Sequence, residues 1–234
     1  MIVLKKKLSF FFLVLSGCFL TFLLFFRDGI ILDHIGIHLD TPFIKAVEVP
    51  DDYSLTDANN NGIPDPIDIV EAARVEVAQR TTYKSTYYAG GYPPDDEGVC
   101  TDVIWRGLIG ANINLKDLMD KDIAENTKLY PRVGVKPDPN IDFRRVPNQD
   151  VFLKRHALSL TTKFVKDDLE NLKRWQPGDI IVFLGGDLDH IGIVSDKRAK
   201  DGTPYVIHNT YPFAAEVKLT SFKSPITGHY RWKF

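Results

Sequence analysis

The stretch Gln176-Pro177-Gly178-Asp179-Ile180-Ile181-Val182-Phe183-Leu184-Gly185-Gly186, continued by His190-Ile191-Gly192-Ile193-Val194 and Tyr205-Val206-Ile207-His208, decides the fold class. Pro-Gly and Gly-Gly punctuate short β-branched runs, the pattern of closely spaced strands joined by turns. A last run of this character is His229-Tyr230-Arg231-Trp232-Lys233-Phe234. Upstream the period changes to that of helices. Val70, Ala73 and Val77 share one face of a helix expected over Pro66 to Arg80. Cys100, Ile104 and Leu108 stand four apart on a second helix, and Leu115, Leu118, Met119 and Ile123 face inward from a third that runs to Asn126. A short helix is expected from Gln149 to Ala157, after an extended, proline-rich stretch from Pro131 to Pro147. Helices followed by antiparallel strands predict an α+β fold, with N-terminal helices packed on one antiparallel sheet.

The 234 residues give room for one good-sized domain and an appendage. With 29 basic and 31 acidic residues the net charge is −2, which provides no basic surface for a nucleic-acid partner. The two cysteines, Cys18 and Cys100, cannot build a disulfide framework, and no Cys/His cluster has zinc spacing.

The appendage is N-terminal. Lys5, Lys6 and Lys7 precede an uncharged run from Leu8 to Phe26, closed by Arg27 and Asp28. As one helix this run would span roughly 28 Å, about the thickness of a bilayer's hydrocarbon core. Residues 1–27 therefore read as a signal anchor or signal peptide, and residues 28–56 as a juxtamembrane linker, the part from about Arg27 to Ser54 being a stalk or a peripheral packing segment. The lysines orient the anchor so that the C-terminal domain lies outside the cytoplasm, single-pass on a bacterial cell membrane. Two alternatives are a lipoprotein, since Leu15-Ser16-Gly17-Cys18 resembles a lipobox, and a secreted, cleaved form.

Exported cysteines are usually paired, yet Cys18 lies in the apolar run and leaves Cys100 alone. One reading is a buried small hydrophobe. The other is a reactive thiol, because a Gly-led turn delivers Cys100 to a helix N-terminus, where unpaired N–H groups and the helix dipole favour a thiolate. Such a nucleophile needs a base and a group that orients it. His34 and His38 fall in the linker, His156 lies on a charged helix, and His229 sits among aromatics. His190 opens one apolar strand and His208 closes the next, so Cys100, His190 and His208 form the expected triad, with Asn209 as a substitute orienting residue.

The motifs Gly98-Val99-Cys100-Thr101-Asp102-Val103, Asn140-Ile141-Asp142-Phe143-Arg144-Arg145-Val146-Pro147-Asn148, Pro177-Gly178-Asp179-Ile180, His190-Ile191-Gly192-Ile193-Val194-Ser195-Asp196, Ile207-His208-Asn209 and Ile226-Thr227-Gly228-His229-Tyr230 occur in this order. Together they resemble the bacterial domain-of-unknown-function 1287 family over roughly Ala72 to Phe234. That family is similar to the NlpC-type cell-wall peptidases and amidases of the papain-like superfamily. The resemblance implies a cysteine hydrolase domain over residues 69–234 with Cys100, His190 and His208 in the catalytic places. It also implies an amidase or endopeptidase acting on peptidoglycan stem peptides, with no cofactor for catalysis. Two departures bear on the substrate: Thr101-Asp102 stands where many relatives carry Ser-Gly, and the stretch from Cys100 to His190 is long. An acyltransferase on the same fold and a non-catalytic, calcium-braced wall-binding module are the alternatives.

Arg144 and Arg145 suit stem-peptide carboxylates through their guanidinium forks. A structural pairing with Asp142 or Asp138 is the alternative, and Asp102 would pair with one of these arginines or cap its helix. In residues 57–68, Asp57, Asn59, Asn61, Ile63 (through its carbonyl), Asp65 and Asp68 hold the ligand positions of a calcium loop, with Gly62 at the turn. Asparagine at two positions and Asp68 in place of glutamate predict weak structural binding, and a simple turn before the helix is the alternative.

Overall fold

The computed structural model describes residues 2–40, 43–186 and 188–234; Met1, Asp187 and, in the expected linker, Thr41 and Pro42 lie outside the described residues. The helices are α1 (Ile2–Phe25), α2 (Ile30–His34), α3 (Asp65–Gln79), α4 (Cys100–Gly110), α5 (Leu115–Asn126), α6 (Val146–His156) and α7 (Leu169–Leu172). The strands are β1 (Thr82–Tyr83), β2 (Glu97–Gly98), β3 (Leu158–Ser159), β4 (Ile180–Phe183), β5 (His190–Arg198), β6 (Pro204–Asn209), β7 (Ala214–Lys218) and β8 (Gly228–Arg231). β1 and β2 form a small parallel pair, whereas the main sheet has the order β3-β8-β4-β5-β6-β7 with every neighbour antiparallel. The chain is thus α+β, with helices on an antiparallel sheet.

Side-chain alternation divides the sheet into two buried faces. Ile180, Val182, Ile191, Ile193 and Ile207 pack with Ile69, Val70 and Ala73 of α3 and Val103, Ile104 and Leu108 of α4. Ile181, Phe183, Val194 and Val206 point the other way, onto Trp175 and Leu219. Burial on both faces explains the near-continuous apolar character of β4 and β5, and each such side chain contributes roughly 1.5–3 kcal/mol. Two glycines allow α4 to lie close to its neighbours. A Cβ on Gly107 would meet Ile193 Cδ1 at 2.6 Å, and one on Gly110 would meet the Asp68 carbonyl oxygen at 2.5 Å. Gly178 turns the chain into β4 at φ +81°, pressed against Pro66, a position that no side chain fits.

Two expectations for the N-terminal part meet the structure here. Among the described residues no single helix is long and apolar enough to cross a membrane; Phe10–Leu24 and Phe26–His34 reach that only together, across a 72° bend. Arg27 (φ 49°) and Asp28 (φ 57°) are left-handed at the break, a backbone that cannot continue an α-helix.

Of the two readings of the linker, a stalk or a peripheral packing segment, the described residues between Arg27 and Asp52 show the second, folded back onto the domain. Arg27 Nε donates to the Ser221 carbonyl at 3.0 Å and Ser221 Oγ donates to that of Arg27 at 2.9 Å. Asp33, buried, accepts the Lys218 N–H at 3.2 Å and lies 3.5 Å from Lys218 Nζ and 3.1 Å from His38 Nδ1. Farther on, the Lys200 N–H donates to Asp40 at 2.8 Å and the Asp52 N–H donates to Gln176 Oε1 at 3.0 Å. Helix α2 packs on edge strand β7. Ala214-Ala215-Glu216-Val217-Lys218 lacks the apolar alternation of a strand, yet every residue in it is buried, because the N-terminal segment covers it.

Candidate active site

Cys100 is the first residue of α4, and its entry into the helix is held by Asp102. Asp102 Oδ2 accepts the Val99 N–H at 2.8 Å, and Oδ1 accepts Trp105 Nε1–H at 2.9 Å. Arg144 Nε and Nη2 each donate to the same carboxylate at 2.7 Å, and Nη1 donates to the Thr86 carbonyl at 2.9 Å. Both members of this bidentate pair are buried. Arg144 and Asp102 are therefore spent on each other and on the helix start, and the partner of Arg144 is neither Asp142 nor Asp138. Arg145, next in sequence, is exposed.

His190 and His208 come together as adjacent ends of β5 and β6. Nε2 of His190 and Nδ1 of His208 are hydrogen-bonded at 2.8 Å, with the rings 84° apart. This pairing leaves His190 Nδ1 as the ring nitrogen available for proton transfer. Strand β5, which His190 opens, packs against α4, which Cys100 opens, and Cys100 lies in one buried cluster with Ile191 and Ile193. Among the described residues no hydrogen bond joins the sulfur to either imidazole. Gly192 keeps this corner tight, since a Cβ there would stand 2.6 Å from Val206 Cγ1 and 3.4 Å from His208 Cβ.

Electrostatically the site differs from the expected thiolate. Cys100 is only 7% exposed, and burial pushes its thiol up to about 12, against the smaller lowering influence of nearby backbone N–H groups. Burial also lowers His190 to about 4. His208 is lowered well below the ordinary histidine value, by burial first and then by the positive charge that His190 and His34 would add. Desolvation disfavours every charged form here, so the resting site holds a neutral thiol and neutral imidazoles.

Asn209, the substitute for His208, faces elsewhere. Its Nδ2 donates to the Thr81 carbonyl at 3.2 Å and the Gly98 carbonyl at 3.3 Å, which ties β6 to the turn before Cys100. His229 lies 3.0 Å from Asp179 Oδ2 and 2.8 Å from the Thr161 carbonyl, stacked on Trp175, in a buried structural network. His156 lies 3.3 Å from Asp122 on a half-exposed surface.

One residue near the site was missed, and one was weighed and set aside as part of the linker. Half-buried Tyr83 has its phenol pKa raised by burial and by the neighbouring Cys100; a lone tyrosine on a two-residue strand carries no sequence signal. His34 stacks on Phe213 at 5.0 Å and approaches His208. Its only signal was a histidine ending a short apolar run.

The loop before α3 is closed by its own groups. Asp57 accepts the N–H groups of Asn61 and Gly62 at 3.1 and 2.8 Å, Asn59 Oδ1 accepts the Asn61 N–H at 3.0 Å, and Asn61 Oδ1 accepts that of Ile63 at 2.7 Å. Asp68 receives the carboxamide N–H groups of Asn59 at 2.7 Å and Asn61 at 3.0 Å. Asp65 turns away to accept the Ala58 N–H at 3.1 Å. Among the described residues no three His, Cys, Asp or Glu side chains group as metal ligands. The donors gathered here are oxygens of two aspartates and two carboxamides, a set that suits a hard cation bound weakly.

Fold and site together describe an α+β protein with a buried cysteine at a helix start and a hydrogen-bonded histidine pair on the adjoining strands. The chain belongs to the family described as Domain of unknown function (DUF1287), whose profile matches residues 70–232. It is 36% identical over 196 residues to the uncharacterized protein YijF of Escherichia coli (strain K12), an alignment that covers 81% of this chain and 90% of that protein. No solved structure matches the chain.

Proposed function

We propose that this protein is an exported cysteine amidase or endopeptidase that hydrolyses amide bonds of peptidoglycan stem peptides on a papain-like fold of NlpC type. The observation that carries the reading is the 2.8 Å His190–His208 hydrogen bond at the ends of strands packed against the helix that Cys100 opens. His190 Nδ1 takes the thiol proton as the sulfur attacks the amide carbonyl, while Nε2–H stays on His208 Nδ1. N–H groups at the start of α4 receive the oxyanion; one such donor typically lowers the barrier by ~3 kcal/mol. His190 then returns the proton to the leaving amine, and water attacks the thioester, releasing the carboxylate and restoring the thiol. Exposed Arg145 is the guanidinium left to hold a stem-peptide carboxylate. Export is supported by the Lys5–Lys7 cluster before the apolar run.

The test is digestion of defined muropeptides. The wild-type protein should release free amine and carboxylate products, and Cys100→Ala should release none while melting normally. Activity retained without the sulfur ends the proposal, and acylated acceptors in place of hydrolysis products make the protein a transferase. We further propose that the 57–68 loop binds calcium weakly and braces α3, on the strength of its gathered oxygens.

A further inference from the structure

We propose that His34 is a positioning residue for the histidine pair: through one bridging water its Nε2 accepts the proton on His208 Nε2 and so holds His208 in the tautomer that makes His190 a base. The inference rests on the cysteine hydrolase reading and adds to it a group from outside the sheet.

Tautomer logic sets the requirement. For His190 Nδ1 to accept the thiol proton, the His190 proton must sit on Nε2 and be donated to His208 Nδ1. His208 then carries its own proton on Nε2 and needs an acceptor beyond it. His208 is 3% exposed, and its Nε2 has no hydrogen-bond partner in the protein. The same is true of His34 Nε2, also buried. The two rings face each other at 71° with centroids 6.5 Å apart. By comparison, the directly bonded His190 and His208 rings are 5.0 Å apart. The longer separation is that of a polar contact bridged by one water.

His34 is fixed for this role. Its neighbour Asp33 is locked to Lys218 and His38, and its own ring packs on Phe213. The charged group facing it is Arg80, whose guanidinium lies 4.0 Å over the Phe213 ring and disfavours a positive charge on His34. Beyond His208 stand His190 and the uncharged ring of Phe222. Glu216, the nearby carboxylate of β7, is occupied by Ser195, Lys197 and Arg74. His34 thus stays neutral, an acceptor with its proton on Nδ1.

The experiment is nitrogen-15 NMR of the histidine rings in the full chain in detergent, with turnover measured in parallel. In the wild type, His190 and His208 should both carry their proton on Nε2. His34→Phe, which keeps a ring and removes the acceptor, should give His208 a mixture of tautomers and lower kcat ~10-fold at unchanged KM. His34→Gln, which restores an acceptor oxygen, should return the wild-type pattern. His208 protonated on Nδ1 in the wild type, or unchanged in His34→Phe, overturns the proposal; should that variant not fold, His34→Leu makes the same test. If the tautomers respond as expected but no variant turns over muropeptides, the hydrolase reading falls and the positioning role stands.

Discussion

Whether Cys100 and His190 rest charged or neutral is a contest between desolvation and the favourable start of a helix. Backbone N–H groups near the helix start favour a thiolate, and burial outweighs them, leaving the thiol near 12 and the imidazole near 4. Iodoacetamide should therefore modify Cys100 more slowly than free cysteine at pH 7, with a rate that climbs through the alkaline range. A fast plateau extending down to pH 5 would mean a resting ion pair. The same shift bears on stability. The folded pKa of His190, about 4, lies below the unfolded value near 6.5, so the unfolded chain binds the proton first. Stability is full above pH ~6.5 and is lost as the pH falls toward 4, by about 3 kcal/mol from this group at 1.36 kcal/mol per unit. Thermal melts across that window should show the loss in the wild type and a smaller one in His190→Gln. The position of Cys100 was legible from Gly98 and the four-residue stripe behind it. Its protonation state was not, because that depends on how closely Ile191, 91 residues downstream, covers the sulfur.

Elements were legible where one local rule sufficed. Helix α5 starts and stops where its apolar face and its Asn114 cap place it, with the Asn114 side chain accepting the Asp117 N–H. Strands β4, β5 and β6 announced themselves by β-branched runs between glycine turns. The stretch from Pro131 to Pro147, expected to be extended, instead contains a 3-10 turn, Asp142–Arg144, and already enters α6 at Val146. That turn delivers Arg144 to Asp102 at the head of α4, a partnership between distant residues that local pattern does not reveal. Arg144→Ala leaves a buried carboxylate unpaired and should cost about 3–5 kcal/mol in chemical denaturation, whereas Arg145→Ala should leave stability within ~0.5 kcal/mol and raise KM. Equal effects of the two on KM alone would return Arg144 to the substrate. At the other end of the helical layer, a calcium Kd of about 1 mM would add about 1.4 kcal/mol at 10 mM ion. That corresponds to about 3–6 °C in melting temperature, and the rise should be absent in Asp57→Ala.

At the scale of the whole molecule, the N-terminal segment is part of the domain. Sequence reasoning separated a linker at residues 28–56 from a domain at 69–234 because glycine and aspartate interrupt the linker's apolar residues. The structure uses those interruptions. Asp33 reaches back to Lys218, Asp40 to Lys200, and the left-handed residues at Arg27 and Asp28 turn the chain onto the sheet. Without this cover, β7 would be an exposed edge carrying Glu216 and Lys218, both buried as folded. Two truncations separate the apolar N-terminal helix from the domain. A chain beginning at Arg27 keeps the Arg27–Ser221 pair, Asp33 and His34, and should melt with the full-length protein in the same detergent. A chain beginning at Lys45 loses α2 and the Asp33 contacts with Lys218 and His38, leaves β7 an exposed edge, and should melt below the first and associate through β7. Equal stability of the two would mean that this segment acts as a stalk, the other reading of its sequence, and β7 would then need some other cover.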